Sequence, residues 1–179
     1  MLKAESDLLQ RRRRRVAEDQ QTGPAIGIPG LLHSRRLLRI LERNHMVQAI
    51  ALYGITTCIF LILDFIGIRF LIRPVFDRNV GHLLADPLRL GPAAIFYLAY
   101  VAGLVWMVSW PALRANDPVQ ALIGGMVLGL LCYGTYEMTN YATLAAWSWE
   151  QVIIDGLWGT FLTGFCAWAG VAAMSGRLS

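Results

Sequence analysis

The chain predicts an all-α fold, a four-helix transmembrane bundle with a basic, partly disordered N-terminal tail, and three observations carry that prediction. Hydrophobic residues make up 56% of the 179 and charged residues only 16%, against roughly a quarter charged in a soluble domain. Four apolar stretches each supply the roughly 20 residues that cross ~30 Å of hydrocarbon. Most Lys and Arg lie before His45, including the run Arg11 to Arg15 and the set Arg35, Arg36, Arg39 and Arg43. The net charge of +4 therefore belongs to the tail.

Residues 1–30 read as a disordered basic tail that ends in the Gly/Pro-rich run Gly23 to Gly30, a composition that breaks regular structure. Residues 31–45 read as an amphipathic interfacial helix. Leu37, Leu38 and Leu41 group on one side, with Arg36, Arg39 and Arg43 on another, the pattern of a helix among lipid headgroups. A solvated helix leading into the first span is the competing reading.

The four-span transmembrane domain follows over residues 46–175. Span one runs from Met46 to Phe70 with no charge before Asp64; Arg69 and Arg73 close it, and Pro74 is expected to stop the helix. Val75 to Leu90 reads as a polar, mixed connection. Span two covers Gly91 to Leu113, with Trp106 and Trp110 as interface anchors near its far end. Arg114 to Asp117 forms a tight loop, and Pro118 suits the first turn of the next helix. Span three covers Val119 to Ala142, Trp147 to Glu150 make a turn of aromatic-belt character, and span four covers Gln151 to Met174. Short loops make consecutive helices antiparallel neighbours, and Gly125-x-x-x-Gly129 allows one close helix approach.

The basic tail orients the chain with its N-terminus in the cytoplasm, and four spans return the C-terminus there. Arg69, Arg73, Arg78 and Arg89 then fall on the outer side, but the tail holds more basic residues and comes first. Its partners are the bilayer and anionic lipid headgroups. No nucleic acid is expected, because no aromatic residue interleaves with the arginines and no groove-reading motif follows them. Cys58, Cys132 and Cys166 sit in separate apolar stretches and read as small packing residues. H-E-x-x-H, G-x-S-x-G and P-loop motifs are missing, so neither a metal nor another cofactor is expected.

Three carboxylates interrupt the apolar spans: Asp64, Glu137 and Asp155. At a helix centre each costs roughly 2.5–3.5 kcal/mol on insertion scales, less toward the interface. Antiparallel threading brings them to one depth. Asp64 and Glu137 each lie roughly 18 residues along outward-running spans, and Asp155 lies about four residues into the returning one, at ~1.5 Å per residue. All three reach the outer quarter of the bilayer. Tyr97, Tyr136, Asn140 and Trp158 fall in the same layer. Arg69 or Arg73 could serve as charge partners, and a salt-bridge network locking the bundle would use the same residues.

The stretch Tyr136-Glu137-Met138-Thr139-Asn140-Tyr141-Ala142-Thr143-Leu144 resembles a signature of the bacterial membrane family catalogued as domain of unknown function 2177. So do Leu63-Asp64, Phe96-Tyr97 and Asp155-Gly156-Leu157-Trp158-Gly159, in the same order and spacing. The usual acid before the Thr-Asn pair in that family is Asp, so Glu137 is longer by one methylene. The resemblance implies a four-span inner-membrane protein and singles out Asp64, Tyr136, Glu137, Thr139, Asn140, Asp155 and Trp158. It brings no activity with it.

Three readings follow. In the first, a carboxylate-lined pocket near the outer leaflet binds or moves a small cationic or polar solute or protons. Asp64, Glu137 and Asp155 supply charge, Thr139 and Asn140 hydrogen bonds, and Tyr97 and Trp158 the walls. Four helices are few for alternating access, so transport calls for a homodimer. In the second, a carboxyl group acts as general acid or base on a lipid-like substrate. In the third, the chain is a non-catalytic subunit of a larger membrane complex and the acids are a structural lock.

Overall fold

A computed structural model describes the backbone of residues 29–175 except Asp86 and Leu88, with side chains described from Asn44 onward. The tail expected to be disordered lies outside the described residues up to its last two positions, and so do the side chains of nearly all of the expected interfacial helix. The chain divides after Asn44 into two compact units, and the packing described below lies within the unit beginning at His45. The described residues are helical throughout apart from the turns, with no strand among them.

Helix α1 (Pro29–Gly67) passes through a wide turn at Ile68–Ile72 into α2 (Arg73–Val80) and a short tight turn at Gly81–Leu83. Pro74 does not stop the helix as expected. Across Ile68–Ile72 the chain takes π-helical spacing, so that the Arg73 N–H bonds to the Ile68 carbonyl, five residues back. The extra residue in that turn makes room for the proline ring, which would otherwise press on the carbonyl four positions earlier. Pro74 then falls in the first turn of α2, where its missing N–H costs nothing. Pro111 uses the same device: α3 (Leu90–Leu104) widens at Val105–Ser109, with Trp110 N–H bonded to Val105 O, before α4 (Trp110–Ala115). Much of the connection expected over 75–90 is therefore helix.

A tight hairpin joins α4 to α5 (Pro118–Thr143), as its residues led one to expect. Asn116 takes the left-handed conformation, φ 53°, and its N–H caps α4 through the Ala112 and Leu113 carbonyls. Asn tolerates that region better than most residues. Asp117 then accepts from Gln120 N–H at 3.0 Å, and Pro118 opens the helix. After a short turn comes α6 (Trp149–Ser175).

Four helical runs, Asn44–Leu83, Leu90–Ala115, Pro118–Thr143 and Trp149–Ser175, are long and apolar enough to cross a membrane. The fourth is the most enclosed of them. It lies along the third, where a Cβ on Gly125 would come within 2.8 Å of Gly164 Cα and one on Gly129 within 2.6 Å of Gly159 O. The expected close approach of the Gly125-x-x-x-Gly129 face is thus made with the fourth span. The first and second spans join through bulkier contacts: Tyr53 donates to the Leu98 carbonyl at 3.1 Å, and Phe60 packs against Tyr97 and Tyr100. Trp106 stands exposed on the bundle surface, while Trp110 meets His45 edge to face.

Candidate functional site

Each acid continues a row of inward positions spaced by four. In the first span Leu52, Thr56 and Phe60 are fully buried and Asp64 follows at 5% exposure. In the third, Ala121, Gly125 and Gly129 are buried, Tyr133 is half-buried, and Glu137 is fully buried. In the fourth, Gln151, Asp155, Gly159 and Thr163 are buried, with Asp155 at 8% exposure. Positions four apart form the ridge that packs into a neighbouring helix, so an acid on such a row faces protein rather than lipid.

Asp64 and Asp155 face a cavity of about 800 Å³ to which all four spans contribute. Four tyrosines complete its polar lining: Tyr97 and Tyr100 from the second span, Tyr133 and Tyr136 from the third. The Tyr97 hydroxyl stands against the Asp64 carboxyl. Tyr100 and Thr163 lie 2.9 Å apart; because Thr163 gives its own proton to Gly159 O at 2.7 Å, Tyr100 is the donor of that pair. Phe76, Phe96 and Trp158 add apolar wall, together with Ile68 and Ile72 of the wide turn. Two rings lie flat on glycine backbone: a Cβ at Gly67 would overlap the Trp158 indole, and one at Gly159 the Tyr133 ring. The indole holds this position although its buried Nε1–H finds no acceptor among the described residues.

Glu137 does not line the cavity. It sits behind Asp155, whose carboxyl stands beside its own. Glu137 Oε2 accepts from Trp147 Nε1 at 2.7 Å, and Oε1 is buried with no donor among the described residues. Two carboxyl groups side by side require a proton or a cation between them. Trp147 was expected in an aromatic belt. Instead it is buried and packs edge-on to Phe76 and Tyr136, at 5.4 and 5.8 Å between centroids. A capping box holds the turn that carries it: Ser148 N–H donates to Gln151 Oε1 at 3.0 Å and Gln151 N–H to Ser148 Oγ at 3.3 Å.

Other expected site residues lie elsewhere. Thr139 is exposed because two positions carry it about 200° around the helix from Glu137; its carbonyl accepts from Thr143. Asn140 is half-buried beside Tyr136 and supports that ring without lining the cavity. The expected charge partners are also not in place. Arg73 pairs with Asp77 at 3.5 Å, and the Arg69 guanidinium lies 5.8 Å from the Phe70 ring centroid. Five positions past Asp64, Arg69 is exposed where Asp64 is buried. The other salt bridge among the described residues joins Arg78 to Glu150 at 2.6 Å, tying the first span to the fourth.

Tyr100, Tyr133 and Trp147 are the site residues that motif reading passed over. Tyr100 is three positions from Tyr97 and Tyr133 is four before Glu137, so helical spacing alone marks both. Trp147 carries no such signal beyond the Ser148-x-x-Gln151 cap that follows it. Cys132 also lines the cavity. No group of three or more His, Cys, Asp and Glu side chains is placed to hold a metal ion among the described residues. The site holds two buried carboxyl groups and seven aromatic residues, and none of its lining residues is basic.

A bundle of four apolar spans enclosing acids is an integral membrane protein. Residues 49–172 match the family described as "Predicted membrane protein (DUF2177)", and the chain belongs to that family. The matched region contains every residue that lines the cavity, and Glu137 and Trp147 as well. No curated protein and no solved structure matches the chain.

Proposed function

We propose that this is a bacterial inner-membrane protein that binds, and as a homodimer moves, a small cationic or polar solute or protons in the cavity near the outer leaflet. One observation carries the reading: Asp64 and Asp155, 5% and 8% exposed, share a cavity with no basic partner among the described residues. An uncompensated buried ion costs several kcal/mol after relaxation, and a bound cation or proton removes that cost. A salt-bridge lock would need a base, and Arg73 and Arg78 are engaged with Asp77 and Glu150 while the Arg69 guanidinium lies by the Phe70 ring. Both termini are taken as cytoplasmic from the basic tail, which sets the cavity end of the bundle toward the outer side.

Glu137 has a different share in this reading. Held by Trp147 and out of the cavity, it acts on the solute only through Asp155. An enzyme acting on a lipid-like substrate would use the Glu137 and Asp155 carboxyls as an acid and base pair.

The test is calorimetry on the purified full chain in neutral detergent, with a panel of inorganic and organic cations. Binding that weakens at least about tenfold in Asp64→Asn and in Asp155→Asn, with both variants folded, supports the proposal. Folded wild-type protein that binds no member of the panel, alongside acid variants that fail to fold, supports the lock instead. Lipid turnover lost on Glu137→Gln supports the enzyme.

A further inference from the structure

We propose that the cavity takes an organic ammonium ion, an amine or quaternary ammonium with an apolar body, held by Asp64 and Asp155 and by the faces of Trp158, Tyr133 and Tyr97. This rests on the cation reading above and narrows it to a chemical class. Volume is the first argument. About 800 Å³ lies in the range of sites for drug-sized molecules, roughly 300–1,000 Å³. A bare divalent ion instead needs six or so oxygens within about 2.0–2.6 Å, and no side-chain cluster among the described residues is placed for that.

The lining is the second argument. Seven of its residues are aromatic, and Asp64 and Asp155 are its charged members. Aromatic faces attract cations within ~6 Å of the centroid, and cages of them are the known means of holding alkylated ammonium groups. An alkylated ammonium group is weakly hydrated, so entering an apolar cavity costs it less than it costs a compact ion. Ile68, Ile72 and Phe96 supply surface for its carbon body.

Rigidity is the third argument. The Trp158 and Tyr133 rings are seated on Gly67 and Gly159, and Tyr100 is tied to Thr163. The rings are therefore set before a ligand arrives, which lowers the ordering cost of binding. Asp64 and Asp155 are more than nine-tenths buried and face the cavity without a basic partner among the described residues.

The probe is benzyltrimethylammonium, titrated calorimetrically into the full chain in maltoside micelles, with potassium and magnesium chlorides as comparators. The expected result is saturable binding at least about tenfold tighter than either metal ion, lost in Asp64→Asn and Asp155→Asn. Trp158→Leu should weaken it about 5- to 30-fold and Trp158→Phe much less, with melting temperatures confirming that both variants fold. Potassium or magnesium binding through the two aspartates, as tight as the ammonium and indifferent to Trp158→Leu, overturns the organic ligand while leaving a cation site. No cation bound by folded protein overturns both. Nanodiscs then separate the sources of the ammonium. Competition by phosphatidylcholine, with none by phosphatidylglycerol, supports a lipid headgroup, and unchanged probe affinity in both supports a soluble amine.

Discussion

Trp147 reaches back from the turn between the third and fourth spans to donate its indole N–H to Glu137 Oε2 across 2.7 Å, with both residues buried. A hydrogen bond to a carboxylate contributes about 1.5–3 kcal/mol. It fixes the acid that stands behind Asp155 and ties the turn to the third span.

Trp147→Phe keeps most of the ring packing against Phe76 and Tyr136 and removes that donor. It should lower stability by about 1.5–3 kcal/mol, read as a fall in melting temperature. Glu137→Gln preserves an acceptor for Trp147 while removing the negative charge beside Asp155, so it should cost less than Glu137→Ala. A double-mutant cycle over Trp147→Phe and Glu137→Ala should return a coupling of about 1 kcal/mol or more. Strict additivity would mean that the contact carries no energy.

Asp64→Asn and Asp155→Asn should each stabilise the ligand-free protein. Every buried carboxylate without a counter-ion is a strain on the fold, and an amide of the same shape removes it. A gain of about 1 kcal/mol raises the melting temperature by roughly 2–4 °C in a domain of this size. The same variants should lose the stabilisation that an added cation brings. A large loss of stability in both would point to a lock.

Gly67→Ala tests the wall. The added methyl meets the Trp158 indole, and overpacking of this kind costs about 1–3 kcal/mol. The variant should melt earlier and bind cations more weakly, since the ring must leave its seat. Gly54→Ala, whose methyl would meet nothing within 4 Å, is the control: it should leave cation binding unchanged and should not lower the melting temperature, since alanine favours a helix interior over glycine.

Arg69→Ala and Arg73→Ala should change stability by less than about 0.5 kcal/mol, as exposed surface substitutions do. Cation affinity should be unchanged as well. A marked drop in either variant would restore these arginines as partners of the acids.

The order of the spans, and the bounds of the last three to within a few residues, were legible because lipid leaves so few options: a backbone crossing it must be helical, and the apolar runs show where. The Asn116-Asp117-Pro118 turn was legible for a similar reason, as each residue type suits one backbone conformation. Pro74 misled. Its local rule is to break a helix, yet one extra residue in the turn before it lets the helix continue. Thr139 misled too, since a motif lists neighbours in sequence while a helix distributes them around a circle.

What the amino-acid order decided alone is the membrane bundle and the common depth of Asp64, Glu137 and Asp155, because rise per residue and alternating direction convert position into depth. Tertiary packing decided the rest. It placed Asp64 and Asp155 on one cavity, set Glu137 behind them under Trp147, and turned Arg69 and Arg73 elsewhere. Depth follows from counting along a single helix, whereas azimuth and partnership depend on how four helices rotate against each other, and that is settled by close contacts such as Gly129 on Gly159.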